Sequence, residues 1–143
     1  MFSKGRLLGI GFALFALVCL VFTWDYSRGR TTQTGSPLVL DVLAATKARE
    51  CGRDATDIVA RYLPLGTEQA EAERILAGIA IEPPRPWFWS PKVETSTVWT
   101  GETLEALRTI KVTAFGNNLL RMHLTFAEGR LRKLAAEVVC RFD

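Results

Sequence analysis

The sequence predicts an α+β fold: an N-terminal transmembrane helix, then a two- or three-helix layer packed on a three-stranded antiparallel β-meander. Three observations lead there. The N-terminus carries a charge-free run, the middle has apolar residues at helical spacing, and the last third alternates apolar with polar residues. A chain of 143 residues has room for one globular unit beside such a segment. Its 48% hydrophobic and 23% charged residues are ordinary globular usage, which excludes disordered, collagen-like and low-complexity classes.

The run from Leu7 to Trp24, LLGIGFALFALVCLVFTW, holds 18 residues without a charge; as a helix it would span roughly 27 Å, close to a bilayer core. Lys4 and Arg6 flank one end, and Trp24 and Tyr26 lie at the other, the depth that aromatic rings favour. Leu7, Phe12, Phe15, Phe22 and Trp24 are the expected anchor side chains. Phe22-Thr23-Trp24-Asp25 offers no small-x-small pair, so a retained signal anchor is expected rather than a cleaved peptide. Val18 before Cys19 is a poor site for lipoprotein processing. The expected organisation is a cytoplasmic head (1–6), a transmembrane helix (7–24), a linker (25–37) and a periplasmic α+β domain (38–143).

Polar residues rich in Gly, Ser and Thr make 25–37 a linker. Ser36-Pro37 then reads as a helix start, a capping hydroxyl with Pro at the first helical position, and Gly52 as its close. That helix, over 37–50, carries Val39, Val42, Leu43 and Thr46 on one face; a strand over PLVLDVL is the competing reading. Asp54 opens a second helix with Ile58, Val59, Tyr62 and Leu63 as its buried stripe, ended by Pro64. Thr67 caps a third, with Glu68, Glu71 and Glu73 near the positive end of the helix dipole, Ile75 and Leu76 inward, and Gly78 at the close. Four prolines in EPPRPWFWSP, residues 82–91, exclude a helix interior or central strand.

Alternation sets the strands. Ile110, Val112 and Ala114 share one face; Leu120, Met122, Leu124 and Phe126 share the next; Leu134, Ala136, Val138, Cys140 and Phe142 share the last. Gly116-Asn117-Asn118 and Ala127-Glu128-Gly129 are the expected turns between them. Apart from Cys19, the chain has Cys51 and Cys140, an even pair in a small domain, which predicts a disulfide and an oxidising compartment. Cys140 faces inward and is expected to reach Cys51 in the helical layer. Arg outnumbers Lys 13 to 5, a composition suggesting a GC-rich bacterial source, so the compartment is the periplasm and the anchor sits in the inner membrane.

The helix-turn-helix IVARYLPLGTEQAEAERIL (58–76) and the strand-turn-strand LTFAEGRL (124–131) resemble the SmpA/OmlA, BamE-like family of small periplasmic α+β domains. Gly66, Ile75, Leu76, Gly78, Phe126 and Gly129 fill the family's glycine, apolar-pair and aromatic-x-x-Gly positions; Ala72 stands where the family carries a β-branched residue. The resemblance implies two helices on a three-stranded antiparallel sheet and an accessory role in envelope assembly. It transfers no binding residue.

The inventory is poor for catalysis. There is one histidine, no G-x-S-x-G elbow, no phosphate loop and no H-E-x-x-H pair. His123 falls on the uncovered face of its strand, and two thiols with one imidazole do not make a structural zinc site. No cofactor and no metal are expected. Without Lys4 and Arg6 the 18 basic residues become 16 against 15 acidic, with no basic stripe, which argues against nucleic acid. Trp87, Phe88 and Trp89 among prolines, with Trp99 beyond, are rigid aromatic contact area and the candidate partner-binding residues. The expected function is a non-catalytic, membrane-anchored periplasmic interaction module, an accessory or assembly subunit of an envelope or inner-membrane complex. Its partners would be the lipid bilayer and a membrane or envelope protein, with no small-molecule substrate. The alternative is a soluble-partner, enzyme-inhibitor-like or ligand-binding module.

Overall fold

A computed structural model describes residues 11–21, 23, 36–46, 51–79, 93–113 and 116–142. A helical stretch over 11–21 precedes three helices, α1 (Pro37–Ala45), α2 (Thr56–Tyr62) and α3 (Gln69–Ala77). The strands are β1 (Arg53–Asp54), β2 (Thr95–Thr100), β3 (Thr103–Thr113), β4 (Gly116–Ala127) and β5 (Arg130–Phe142). They form one antiparallel sheet in the order β1-β5-β4-β3-β2.

This corrects the expected fold in two respects. The sheet has five strands, because TSTVWT pairs along β3 and Arg53-Asp54 adds to the far edge of β5. Among the described residues no helix is long and apolar enough to cross a membrane. The described helical stretch over 11–21 rises about 16 Å, roughly half a bilayer core, and 7–10, 22 and 24 of the expected span lie outside the described residues. Phe12 and Phe15 lie exposed on that stretch, while Leu7, Phe22 and Trp24 fall outside the described residues.

The helices end where local chemistry stops them. α1 begins with Pro37 in its first turn, but Ser36 makes no side-chain cap bond; the helix closes at Thr46, whose Oγ1 donates to the Val42 carbonyl at 2.8 Å. It therefore stops short of the expected residue 50, and residues 47–50 lie outside the described set. Asp54 sits in β1 rather than in α2, and its carboxylate accepts the Thr56 N–H at 2.8 Å, which turns the chain into the helix. The Thr67 hydroxyl donates to the Pro64 carbonyl at 2.6 Å, closing the preceding turn, and α3 starts two residues later at Gln69.

All three helices cover one sheet face. Leu38, Val39 and Val42 of α1, Ile58 and Val59 of α2, and Ala72 and Leu76 of α3 meet Leu104, Ala106, Leu120, Met122 and Leu124 in a single core. Each fully buried Leu there stabilises the fold by about 1.5–3 kcal/mol relative to exposure. β4 and β5 keep the expected parity, with Ala136 and Val138 buried in the same cluster. Gly116-Asn117-Asn118 is not a turn: these residues begin β4, with Asn117 opposite Val112 and Asn118 opposite Lys111. Cross-strand pairing overrides the turn preference of Asn and Gly there, and Ala114 lies outside the described residues.

The two described two-residue hairpin loops use left-handed backbone. Glu128 (φ 54°) and Gly129 (φ 70°) make the two-residue β4–β5 loop, and Gly101 (φ 60°) opens the β2–β3 loop. The α2–α3 turn is strapped to the β4–β5 hairpin. Gly66 N–H donates to Leu131 O (2.7 Å), Leu131 N–H to Thr67 O (2.8 Å) and Gln69 N–H to Gly129 O (2.9 Å).

Cys51 and Cys140 form a disulfide across 5.3 Å between Cα atoms. Cys51 is not in the helical layer. It precedes β1, and the register that sets Arg53 opposite Val138 brings Cys51 opposite Cys140 when carried back along the chain. The bond staples an edge of the sheet.

Candidate functional site: the free edge strand and its aromatic cleft

The two sheet edges differ chemically. β1 is two residues long, both charged, and stands beside the disulfide. β2 is six residues, TSTVWT, with no charge and no proline, and every one of its residues is exposed. Charge, proline and brevity are how proteins blunt an open strand edge, and β2 has none of them.

The phase of the ladder fixes which backbone groups face out. The Thr109 N–H donates to the Glu94 carbonyl at 3.0 Å, so the hydrogen-bonded pairs along β2 and β3 fall at Ser96, Val98 and Thr100. Thr95, Thr97 and Trp99 accordingly direct their N–H and C=O groups away from β3. Their side chains share the helix-covered face, since Trp99 opposes Leu104 and Thr97 opposes Ala106, both buried in the core.

Arg108 holds the strand in place. It is 5% exposed on the helix-covered face of β3 and forms no ion pair among the described residues. Its guanidinium donates to Ser96 O (2.5 Å), Leu107 O (3.0 Å), Thr97 Oγ1 (2.7 Å) and, at 3.4 Å, to Leu76 O at the end of α3. Burial lowers the pKa of this group, as expected for a cation taken out of water without a counter-ion. A second clamp sits at the start of the strand, where the Thr109 hydroxyl accepts the Glu94 N–H (2.8 Å) and donates to Glu94 O (3.1 Å).

At the far end of β2 the chain forms an open cleft of about 400 Å³. Trp99 and Phe126 make its apolar wall, with ring centroids 5.5 Å apart and planes tilted by 46°. Glu102 and Glu128, from the two hairpin turns, and Gln69 at the start of α3 supply the polar rim. The Phe126 N–H donates to the Glu102 carbonyl at 2.8 Å, which fixes the two turns side by side. Trp99 is 39% exposed beside a Phe126 that is 3% exposed. Glu102 makes no ion pair among the described residues, and Glu128 meets only Arg132, at 3.4 Å on an exposed surface.

Of the expected partner residues the structure places Trp99, on the edge strand and in the cleft; Trp87, Phe88 and Trp89 lie outside the described residues. His123 is half-buried on the opposite sheet face, between Glu105 and Ala135. Glu102 and Arg108 are not singled out by the sequence, and Glu128 is singled out only as a turn residue. The two-residue spacing of Gly101-Glu102 between β-branched TSTVWT and Thr103-Leu104 is the signal that a hairpin turns there. A smaller open cleft of about 330 Å³ lies between α1, α2 and α3, beside Tyr62, whose hydroxyl donates to Asp41 at 2.6 Å. That bond holds the Tyr62 proton and raises its pKa.

Comparison with known proteins finds no matching family model, no matching curated protein and no matching solved structure.

Proposed function

We propose that this chain is a non-catalytic interaction module that captures a protein partner by adding an extended segment of that partner to β2. The observation that carries the reading is the asymmetry of the sheet. One edge is short, charged and stapled, while the other offers outward backbone groups at Thr95, Thr97 and Trp99 on an uncharged strand. Strand addition uses such an edge, with main-chain bonds for affinity and neighbouring side-chain pockets for choice of partner. Arg108 and Thr109 hold β2 from behind, so the template is ordered before the partner arrives and less freedom is lost on binding.

The disulfide supports work in an oxidising compartment, and with the arginine-rich composition the proposed setting is the bacterial periplasm, in an accessory or assembly role for an envelope complex. The SmpA/OmlA resemblance belongs to the same proposal. Its two segments, 58–76 and 124–131, are bonded to each other through Gly66, Thr67 and Leu131, so they act as one packed unit.

The test is site-specific photo-crosslinking in cells. A photoreactive residue at Val98, on the free edge, should give one discrete adduct; the same residue at Arg53, on the stapled edge, should not. The Val98 adduct should disappear in Thr97→Pro, which removes an outward donor. Equal adducts from both edges, or none from Val98, would refute the reading.

A further inference from the structure

Resting on that reading, we infer that the segment added to β2 carries a lysine or arginine side chain, seated in the cleft between Trp99, Glu102 and Glu128. A strand laid against β2 places the residue opposite Trp99 on the same face as the indole, with Cβ atoms about 4.5–5.5 Å apart. That face is the cleft side, because Trp99 lines the cleft with Phe126. A cationic side chain there adjoins an indole that is 39% exposed, and an indole is the best aromatic partner for a cation. Beyond the ring lie the carboxylate residues Glu102 and Glu128, which line the same cleft. Glu102 has no ion pair among the described residues, and Glu128 has only the long surface contact to Arg132, which competes weakly.

Among the described residues no cationic one lines the cleft, Arg132 meeting Glu128 from outside it, and Gln69 adds a neutral amide able to donate to or accept from the ligand. An anionic side chain would meet like charge from both turns, and a short neutral one would leave Glu102 without a charged partner among the described residues. The outward backbone groups fix where the segment lies; the cleft selects the residue at one position along it. Affinity for the backbone and preference for the side chain therefore arise from different groups and can be separated.

A displayed library of random hexapeptides, selected on the full oxidised chain, provides the probe. Selected peptides should share a Lys or Arg at one position, and replacing that residue by Met in a synthetic copy should weaken binding by roughly fivefold. The Glu102→Gln/Glu128→Gln variant should lose most of that preference and bind the Met copy as the parent chain does. Amide hydrogen exchange on the parent chain tells the two ideas apart. Peptides that protect Thr95, Thr97 and Trp99 but carry no shared basic residue would overturn the cationic preference and leave strand addition standing. Peptides that protect none of the three amides, or an unenriched library, would overturn both.

Discussion

Removing the Cys51–Cys140 disulfide tests how the described fold is held. The bond closes a sequence separation of 89 residues, for which the chain-entropy relation gives about 4–5 kcal/mol of stabilisation through the unfolded state. Nothing in the native ladder replaces it. β1 is two residues long, and beside it the attachment to β5 continues through Gly52 N–H to Val138 O (2.7 Å), Ala55 N–H to Ala136 O (2.8 Å) and the Thr56 hydroxyl, which accepts the Ala136 N–H (3.0 Å) and donates to Ala136 O (3.3 Å). The C51A/C140A chain should therefore lose about 4 kcal/mol, corresponding to a melting temperature lower by about 15 °C for a domain near 100 residues. Guanidinium unfolding of both chains gives the free energy, and the m-value should rise as the uncrosslinked unfolded chain exposes more surface. A second readout is local: the Gly52 and Ala55 amides should exchange faster in the variant than those of β4. A loss below about 1 kcal/mol with unchanged exchange at Gly52 would refute both the entropic argument and the role of the staple.

Other outcomes follow from single contacts. Leu120→Ala, on the central strand at 0% exposure, should cost about 2–5 kcal/mol in denaturant unfolding, whereas Leu40→Ala, at 54% exposure on α1, should stay within about 0.5 kcal/mol of the parent. Arg108→Lys should destabilise by about 2–4 kcal/mol, because one ammonium cannot span Ser96, Leu107, Thr97 and Leu76, and exchange at Ser96 and Val98 should rise with it. The Thr56 hydrogen bonds hold the Asp54 carboxyl below its ordinary pKa, so its contribution is present above the unfolded value and is lost as pH falls through the lower folded value. A proton titration of Asp54 should show the depressed midpoint, and Asp54→Asn should flatten that part of the stability profile. Gly129→Ala, at φ 70°, should cost about 1–2 kcal/mol in the same unfolding assay.

The parts of the fold that sequence reveals are those where one force dominates. Leu120, Met122, Leu124 and Phe126 alternate without interruption, and burial of that face leaves β4 no other register. The Ile58-Val59 and Leu76 stripes identify their helices for the same reason. β3 is harder to read. Its first half, Leu104-Glu105-Ala106-Leu107-Arg108, is made of good helix formers and places a charge on the covered face, so only its pairing with β2 and β4 makes it a strand. Asn117 and Asn118 look like turn residues and are buried strand residues. Trp99 stands out as an aromatic residue, but that it sits on the outer strand of the described sheet follows from strand order, and Glu102 and Glu128 join it only because two distant hairpin turns lie side by side. A nonlocal site of this kind has no contiguous signature.

Amide hydrogen exchange of the free, oxidised chain tests the open edge most directly. The account predicts alternation along β2: fast exchange at Thr95, Thr97 and Trp99, and slow exchange at Ser96, Val98 and Thr100. Uniform slow exchange across all six would mean that the outward donors are already bonded, and no partner strand could be added there.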